Sequence, residues 1–576
     1  MNQKLENILN VSLDATEDEL RKADSLSTGY NWRDNTWEII VKYSGSLESI
    51  RNRYNVYIKE LLNYYAIIVA DKATIELISQ EDVIDYVEKP KSLYYQIERT
   101  KTAACVGSVR ADGNILSGKG VIVGVIDTGI DIFDNAFRNS DGTTRILNIY
   151  DQTTGEKYDK QSIDEYIRLN EDLSGGTFSY DNAPGVDNIM HGTDVSYIAA
   201  GSLGVAYEAD IIAVKMGYSI NNQFPRTTSL MDAIDYIIRK AIEYIKPVAV
   251  NISYGCNYGA HNGNTLLESF IDDISKSYRC VICVGSGNEA DKAIHFGGII
   301  NTGQVQTAYL SVGEYQSAID IQIWKNYWDT IDVMLINPRG EQIGIITEGR
   351  INRYETYNTE IITLLGEPSP YNIYQEIYIN LIPKTDYILS GIWQIVLMAG
   401  SIRAGEYNIW LPSSQALGYA TAFNNPTADG TITIPATARN CIAVGAYNAY
   451  TNSYAAFSGR GFDNSIRNVN AGVKPDITAP GVDISIARQR GNDITYRNVT
   501  GTSYAVPVVT GAAALLMQWG IVMGNDRFMY GEKLKAALID GSKPVGLVGI
   551  TRNDNQPDPR TGWGAVCLKN TLNKIL

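Results

Sequence analysis

The chain has 576 residues, so more than one domain is expected. With 64 acidic against 49 basic residues its formal net charge is -15, which argues against nucleic acid as the main partner. The apolar share of 44% permits a sizeable core. No stretch reads as the roughly 20 apolar residues of a membrane span. Residues from Met1 to Ser27 lack the apolar centre of a signal peptide, so a protein kept inside the cell, without a membrane span, is expected.

From about Asn2 to Asp24 the pattern predicts a short amphipathic helix and linker. Trp37 to Tyr43 alternates as a strand does, and Tyr57–Leu61, Tyr65–Ala70 and Val83–Glu88 are further strands. Leu47 to Tyr54 and Asp71 to Gln80 read as helices, with Asp71 placed to cap the second. Strands and helices packed into so short a stretch predict a small α+β domain over residues 1–96.

From Gly118 the texture changes. Val121–Ile126 is a continuous β-branched run of the kind found in central parallel strands. Ile211–Met216, Val248–Ser253 and Val281–Val284 repeat it, with a helix pattern from Ser229 to Tyr244 between them. This predicts an α/β layered sheet with functional groups at strand C-terminal ends. Residues 305–425 shift to short strands broken by Pro338-Arg339-Gly340 and Pro368-Ser369-Pro370, which predicts a β-sandwich or jelly-roll insertion. The α/β texture resumes over 426–576, the partner of 97–304.

The cysteines are Cys105, Cys256, Cys280, Cys283, Cys441 and Cys567. Cys280 and Cys283 have CxxC spacing inside an apolar run, and no second Cys or His pair stands at ligand spacing. They read as buried reduced thiols, and no metal or cofactor is expected.

Three short stretches carry chemistry. Asp127-Thr128-Gly129 ends the first buried strand. His191-Gly192-Thr193-Asp194-Val195 precedes a run of small residues. Gly501-Thr502-Ser503 feeds directly into an apolar helix, which puts the Ser503 hydroxyl at the positive end of the helix dipole. The plain reading of Ser503 is a helix cap, and Asp127 alone is an ordinary turn residue. Serine hydrolysis, however, needs a nucleophile, a base and a carboxylate that orients the base. The base must come from three histidines, and His261 and His295 stand in no comparable motif. The order Asp, His, Ser on an alternating α/β pattern is the subtilisin order.

On these three blocks the chain resembles the subtilisin-like serine proteases, the subtilase family. The resemblance extends to Lys474-Pro475-Asp476-Ile477-Thr478-Ala479-Pro480-Gly481, to Phe457-Ser458-Gly459-Arg460-Gly461 and to Gly562-Trp563-Gly564. It implies a subtilisin-like parallel sheet flanked by helices, an N-terminal prodomain and an inserted jelly roll. It implies that Asp127 orients His191, that His191 is general base then acid, and that Ser503 is the nucleophile. Asn288 would supply an oxyanion-hole amide. Ser253, Tyr254 and Gly255 would pair with substrate, and Gly285, Ser286 and Gly287 would wall the first specificity pocket. The partners implied are a protein or peptide substrate and the chain's own prodomain, released or retained after self-cleavage near Gln96. Tyr504, Val506 and Val508 depart from the family's usual residues and bear on pocket shape.

A narrower resemblance is to the clostridial Csp germination proteases, on the prosegment length, the β insertion and the lack of a signal peptide. It implies a cytoplasmic or spore-associated enzyme that activates a protein precursor by limited proteolysis, such as a spore-germination pro-enzyme. The alternative is a protease-shaped signalling or binding protein without activity. Against it stand Asp127, His191, Ser503 and Asn288, all present.

Overall fold

The computed structural model describes residues 4–17, 20, 29–61, 64–88, 104–105, 116–172, 183–219, 222–346, 351–367, 372–462, 473–490, 493–546 and 557–576. The Lys91 to Gln96 stretch, with the expected cleavage site at Gln96, lies outside them. The chain forms two compact units, Met1–Tyr95 and Gln96–Leu576.

The first unit is an antiparallel sheet in the order Tyr30–Asn31, Thr36–Tyr43, Tyr65–Ala70, Tyr57–Leu61, with Ile84–Glu88 also paired to Thr36–Tyr43. Alternation along Thr36–Tyr43 buries Trp37, Ile39, Val41 and Tyr43. Ile50 of the Glu48–Tyr54 helix and Ile75 and Ile78 of the Lys72–Ile78 helix complete that core. Asp71 caps the latter helix, accepting from Thr74 N–H at 2.9 Å, as its position in the sequence predicts.

The second unit is built on a sheet whose order is Ser453–Tyr454, Ile442–Asn448, Cys280–Gly285, Val248–Ile252, Ile122–Asp127, Asp210–Lys215, Ile146–Asp151, Glu156–Asp159. The six inner strands are parallel. Ile122–Asp127 is buried along its whole length because helices cover both faces. Val123 and Val125 face a core shared with the His191–Ala200 and Thr502–Met517 helices. Ile122 and Ile126 face the Thr227–Glu243 and Leu266–Ser277 helices. The helical stretch Thr502–Val522 is long and apolar enough to cross a membrane, but it is the buried core helix of this layer.

Between Cys280–Gly285 and Ile442–Asn448 stands a β-sandwich that opens at His295–Ile299, upstream of residue 305. Its sheets run His295–Ile299, Glu406–Trp410, Ile319–Asn326, Tyr374–Pro383, Thr359–Leu365, Ile351–Glu355 and Gln342–Ile345, Ile331–Ile336, Gly391–Ala399, Val305–Val312, Ala422–Phe423. All neighbours in both sheets are antiparallel. Trp393 and Trp410 are the largest side chains in the core between them.

Cys280 and Cys283 are buried free thiols, both pushed up to about 12 by burial. The sequence reading did not foresee the Cys105–Cys567 disulfide. The two residues are 462 apart in the chain, and the contact that joins them, Leu568 N–H to the Ala104 carbonyl at 3.0 Å, exists only in the folded state.

The Lys474-Pro475-Asp476 block is structural. Asp476 is buried, accepts from Ala443 N–H at 2.7 Å, and pairs with Lys474 at 2.7 Å and Lys535 at 2.8 Å. Burial alone would raise its pKa, but the two ammonium groups hold it below the usual 3.8. Asp476→Asn leaves two lysines uncompensated and is expected to destabilise by about 3–5 kcal/mol. A carboxylate with a lowered folded pKa stabilises above its unfolded value and loses that contribution as pH falls. The melting-temperature gap between wild type and variant should therefore be widest near neutrality and close below about pH 4.

Candidate active site

Asp127 is the last residue of the Ile122–Asp127 strand and is buried. Its Oδ1 accepts from Thr128 N–H at 2.8 Å and lies 2.7 Å from His191 Nδ1. His191 opens the His191–Ala200 helix after Met190, whose φ of +66° turns the chain sharply. A Cβ on Gly192 would strike the Gly129 carbonyl and the Asp127 side chain, so only glycine lets the imidazole stand this close to the strand. Burial disfavours the imidazolium, but the Asp127 charge and hydrogen bond, with Asp194 and Asp187 behind them, raise the His191 pKa above 6.5.

Asp187 was not singled out by the sequence reading. Its carboxylate accepts from Met190 N–H at 2.7 Å, Thr193 N–H at 2.8 Å and the Thr193 hydroxyl at 2.8 Å. Thr128 donates its hydroxyl to Asp187 at 2.8 Å and accepts from Gly192 N–H at 2.9 Å. The first turn of the histidine helix is thereby tied to the end of the aspartate strand. An aspartate shortly before a helix start was the available signal.

Ser503 sits in the first turn of the Thr502–Met517 helix and is the one residue of that helix that is not buried. The preceding Gly501 has φ +152°, ψ +161°, a conformation essentially confined to glycine. The cap is Gly501, with no side-chain cap bond, so Ser503 is not the cap that the plain reading allowed. Among the described residues neither Ser503 Oγ nor His191 Nε2 has a hydrogen-bond partner. Such bonds commonly tighten only when substrate arrives. The serine and histidine helices pack closely because Gly511 presents no side chain to Ala199 and Val205.

Asn288 is exposed, and its Oδ1 accepts from Thr502 N–H at 3.0 Å and the Thr502 hydroxyl at 3.1 Å. Anchoring the oxygen fixes the amide plane and turns the Nδ2 donors away from Thr502. Ser253 Oγ lies 3.3 Å from the Ser503 carbonyl oxygen, so the Ser253-Tyr254-Gly255 segment borders the same turn. A Cβ on Gly285 would touch Thr502 and Val506 at 3.3 Å. Ser286 turns its hydroxyl inward to Ser458 at 3.3 Å, while its N–H and carbonyl are taken by Val444 and Thr433. The Ser286 N–H and carbonyl and the Gly287 carbonyl are thus already paired within the fold. Thr433, another residue the sequence reading missed, fills the space beside both Gly255 and Gly287. His261 and His295 both stack on Trp410 in the core, with centroids at 4.2 and 4.9 Å, and their ring nitrogens bond Ile432, Asn257, Thr427 and Asn408.

The arrangement offers a hydroxyl at a helix start, an imidazole held by a buried carboxylate, and a fixed amide donor. That is the equipment for acyl transfer through a tetrahedral oxyanion. A model described as the subtilase family matches residues 118–368 and 404–564, more than half of the chain. The chain belongs to the subtilase family. The Csp protease B prodomain model matches residues 3–91 of this subtilase. The solved structure of the Clostridium perfringens CspB protease is 34% identical, with a TM-score of 0.75, covering 83% of this chain and 97% of that one. Subtilase-type proteinase RRT12 of Saccharomyces cerevisiae is 33% identical over 128 residues, and Subtilisin-like protease 10 of Arthroderma otae 34% over 120. These two matches span 23% and 27% of the relatives' own lengths, about a quarter. Within the subtilase, the departures at the serine helix are all packed: Tyr504, Val506 and Val508 are buried, and the Tyr504 ring stands 5.2 Å from that of His191.

Proposed function

We propose that the chain is a serine endopeptidase. Ser503 attacks the scissile carbonyl, His191 takes its proton and returns it to the leaving amine, and Asp127 holds His191 in the working tautomer. Asn288 Nδ2 and the Ser503 backbone N–H would receive the oxyanion. The observation that carries this reading is the 2.7 Å contact of His191 with buried Asp127, beside a helix whose one accessible residue is a serine. The test is a fluorophosphonate probe followed by peptide mapping. Labelling confined to Ser503 supports the reading, and a folded protein that takes up no label overturns it.

Asn288→Ala should lower kcat by about 100- to 1,000-fold with little change in KM, since the amide serves the oxyanion and not the ground state. Equal loss in KM would count against that role.

The finer reading concerns processing. The chain cuts itself near Gln96, its N-terminal segment acts as inhibitor and chaperone, and the mature enzyme activates a protein precursor, with a spore-germination pro-enzyme as the substrate class. Support comes from the Csp protease B prodomain match and the likeness to the CspB protease. The inserted sandwich is read as a jelly roll. In its favour, His295–Ile299, Glu406–Trp410, Ile319–Asn326 and Tyr374–Pro383 follow one another in one sheet, and Val305–Val312, Gly391–Ala399, Ile331–Ile336 and Gln342–Ile345 in the other, as two interleaved Greek keys would.

A further inference from the structure

The hairpin Ile484–Arg490 with Asp493–Val499 leads straight into Gly501 and Ser503. Its register sets Ile486 opposite Arg497 and Arg488 opposite Thr495, so Arg488, Arg490 and Arg497 share one face. That face meets two buried carboxylates. Arg488 Nε donates to Asp194 Oδ1 at 2.9 Å, and its Nη2 donates to the Met190 carbonyl at 3.0 Å. Arg497 forms an ion pair with the other oxygen of Asp194. Arg490 pairs with Asp131 at 2.6 Å, four residues after Asp127. Asp194 lies three residues after His191, on the same helix face, with no exposed surface. The Tyr504 ring lies against His191, and its hydroxyl faces Arg497 and Asp194.

We propose that Asp194, gripped by Arg488 and Arg497, is a positioning residue for His191, and that the hairpin holds the segments bearing Asp127, His191 and Ser503 in one frame. The proposal rests on the roles given above to those three residues. The buried Asp194 carboxylate is fixed between two guanidinium groups, by a charge-assisted hydrogen bond from Arg488 on Oδ1 and by the ion pair with Arg497 on Oδ2. Arg488 also holds Met190, whose backbone aims His191, so the same grip sets the direction of the imidazole. The charges acting on His191 are Asp127 from the strand, Asp187 from the preceding loop and Asp194 from its own helix, and Arg488 and Arg497 of the hairpin pair with Asp194. Tyr504 contributes an uncharged ring.

The test is a histidine-ring NMR titration of the full chain. The protein has three histidines, and His261 and His295 are buried against Trp410, so one resonance reports the site and two report the fold. Asp194→Asn removes a negative charge near His191 and leaves two arginines without their buried partner, and should lower the His191 midpoint by about half to one pH unit. Arg497→Gln removes a positive charge and should raise it by a similar amount, about half a unit or more. Arg497→Lys should restore it. Arg497 is partly exposed, so this pair stays informative if the buried Asp194 variant does not fold. Shifts of opposite sign with His261 and His295 unmoved support the proposal. Unmoved midpoints, or shifts of the same sign, overturn it and leave Asp194 as a plain staple. The titration needs no turnover, so a wild type that ignores the fluorophosphonate probe would sink the protease reading while this result still stood.

Discussion

Ser503→Ala is expected to lower turnover of a peptide substrate by on the order of a million-fold, the scale set by subtilisin and not a value obtained from this chain. The loss should be chemical and not conformational. Ser503 Oγ has no hydrogen-bond partner among the described residues, and the side chain is only half-buried. Alanine removes no packing and no cap, since the cap is Gly501. Stability should stay within about 0.5 kcal/mol of wild type. The same variant tests self-processing. Intact mass spectrometry should find two pieces in wild type and one in the variant. A variant that still splits at the same bond would assign the cut to another protease, and one that retains turnover would remove Ser503 from the reaction.

Much of the site was readable because each of its groups ends or begins a regular element. Asp127 closes a β-branched run, His191 and Ser503 open helices, and such positions leave marks in a single sequence. The hairpin before Ser503 left none. Its arginines act through pairs such as Arg488 with Asp194, 294 positions apart, and charged residues on a short alternating segment look like any solvated surface. The Leu266–Ser277 helix was passed over although its start carries a readable signature: Thr265 and Glu268 form a reciprocal capping box. The strand Ile146–Asp151 was missed for a different reason. Asn148 and Asp151 interrupt its apolar run, and both are buried because partners supplied elsewhere in the fold receive them. The Asn148 side-chain Oδ1 accepts from the Tyr244 hydroxyl at 2.8 Å, and Asp151 pairs with Lys215 at 3.4 Å. Local pattern fails wherever tertiary contacts license a polar residue inside.

Asp127→Ala should cost about 30,000-fold in kcat, again on the scale of subtilisin. Asp127→Asn should cost less in this site, for a geometric reason. The oxygen that meets His191 also accepts from Thr128 N–H at 2.8 Å, while Oδ2 is buried with no hydrogen-bond partner among the described residues. An asparagine would keep its carbonyl toward Thr128 N–H and so toward His191 Nδ1–H, which preserves the tautomer and loses the charge. The pH dependence separates orientation from charge. Activity rises as His191 loses its proton, and Asp127 is the chief group holding that pKa above 6.5 against the effect of burial. Both variants should therefore shift the acid limb of kcat/KM to lower pH, while only alanine should also lose the alignment. A limb that does not move in either variant would mean that Asp127 neither charges nor steers the base. An asparagine variant as impaired as alanine would mean that the amide has flipped and that Thr128 does not govern its orientation.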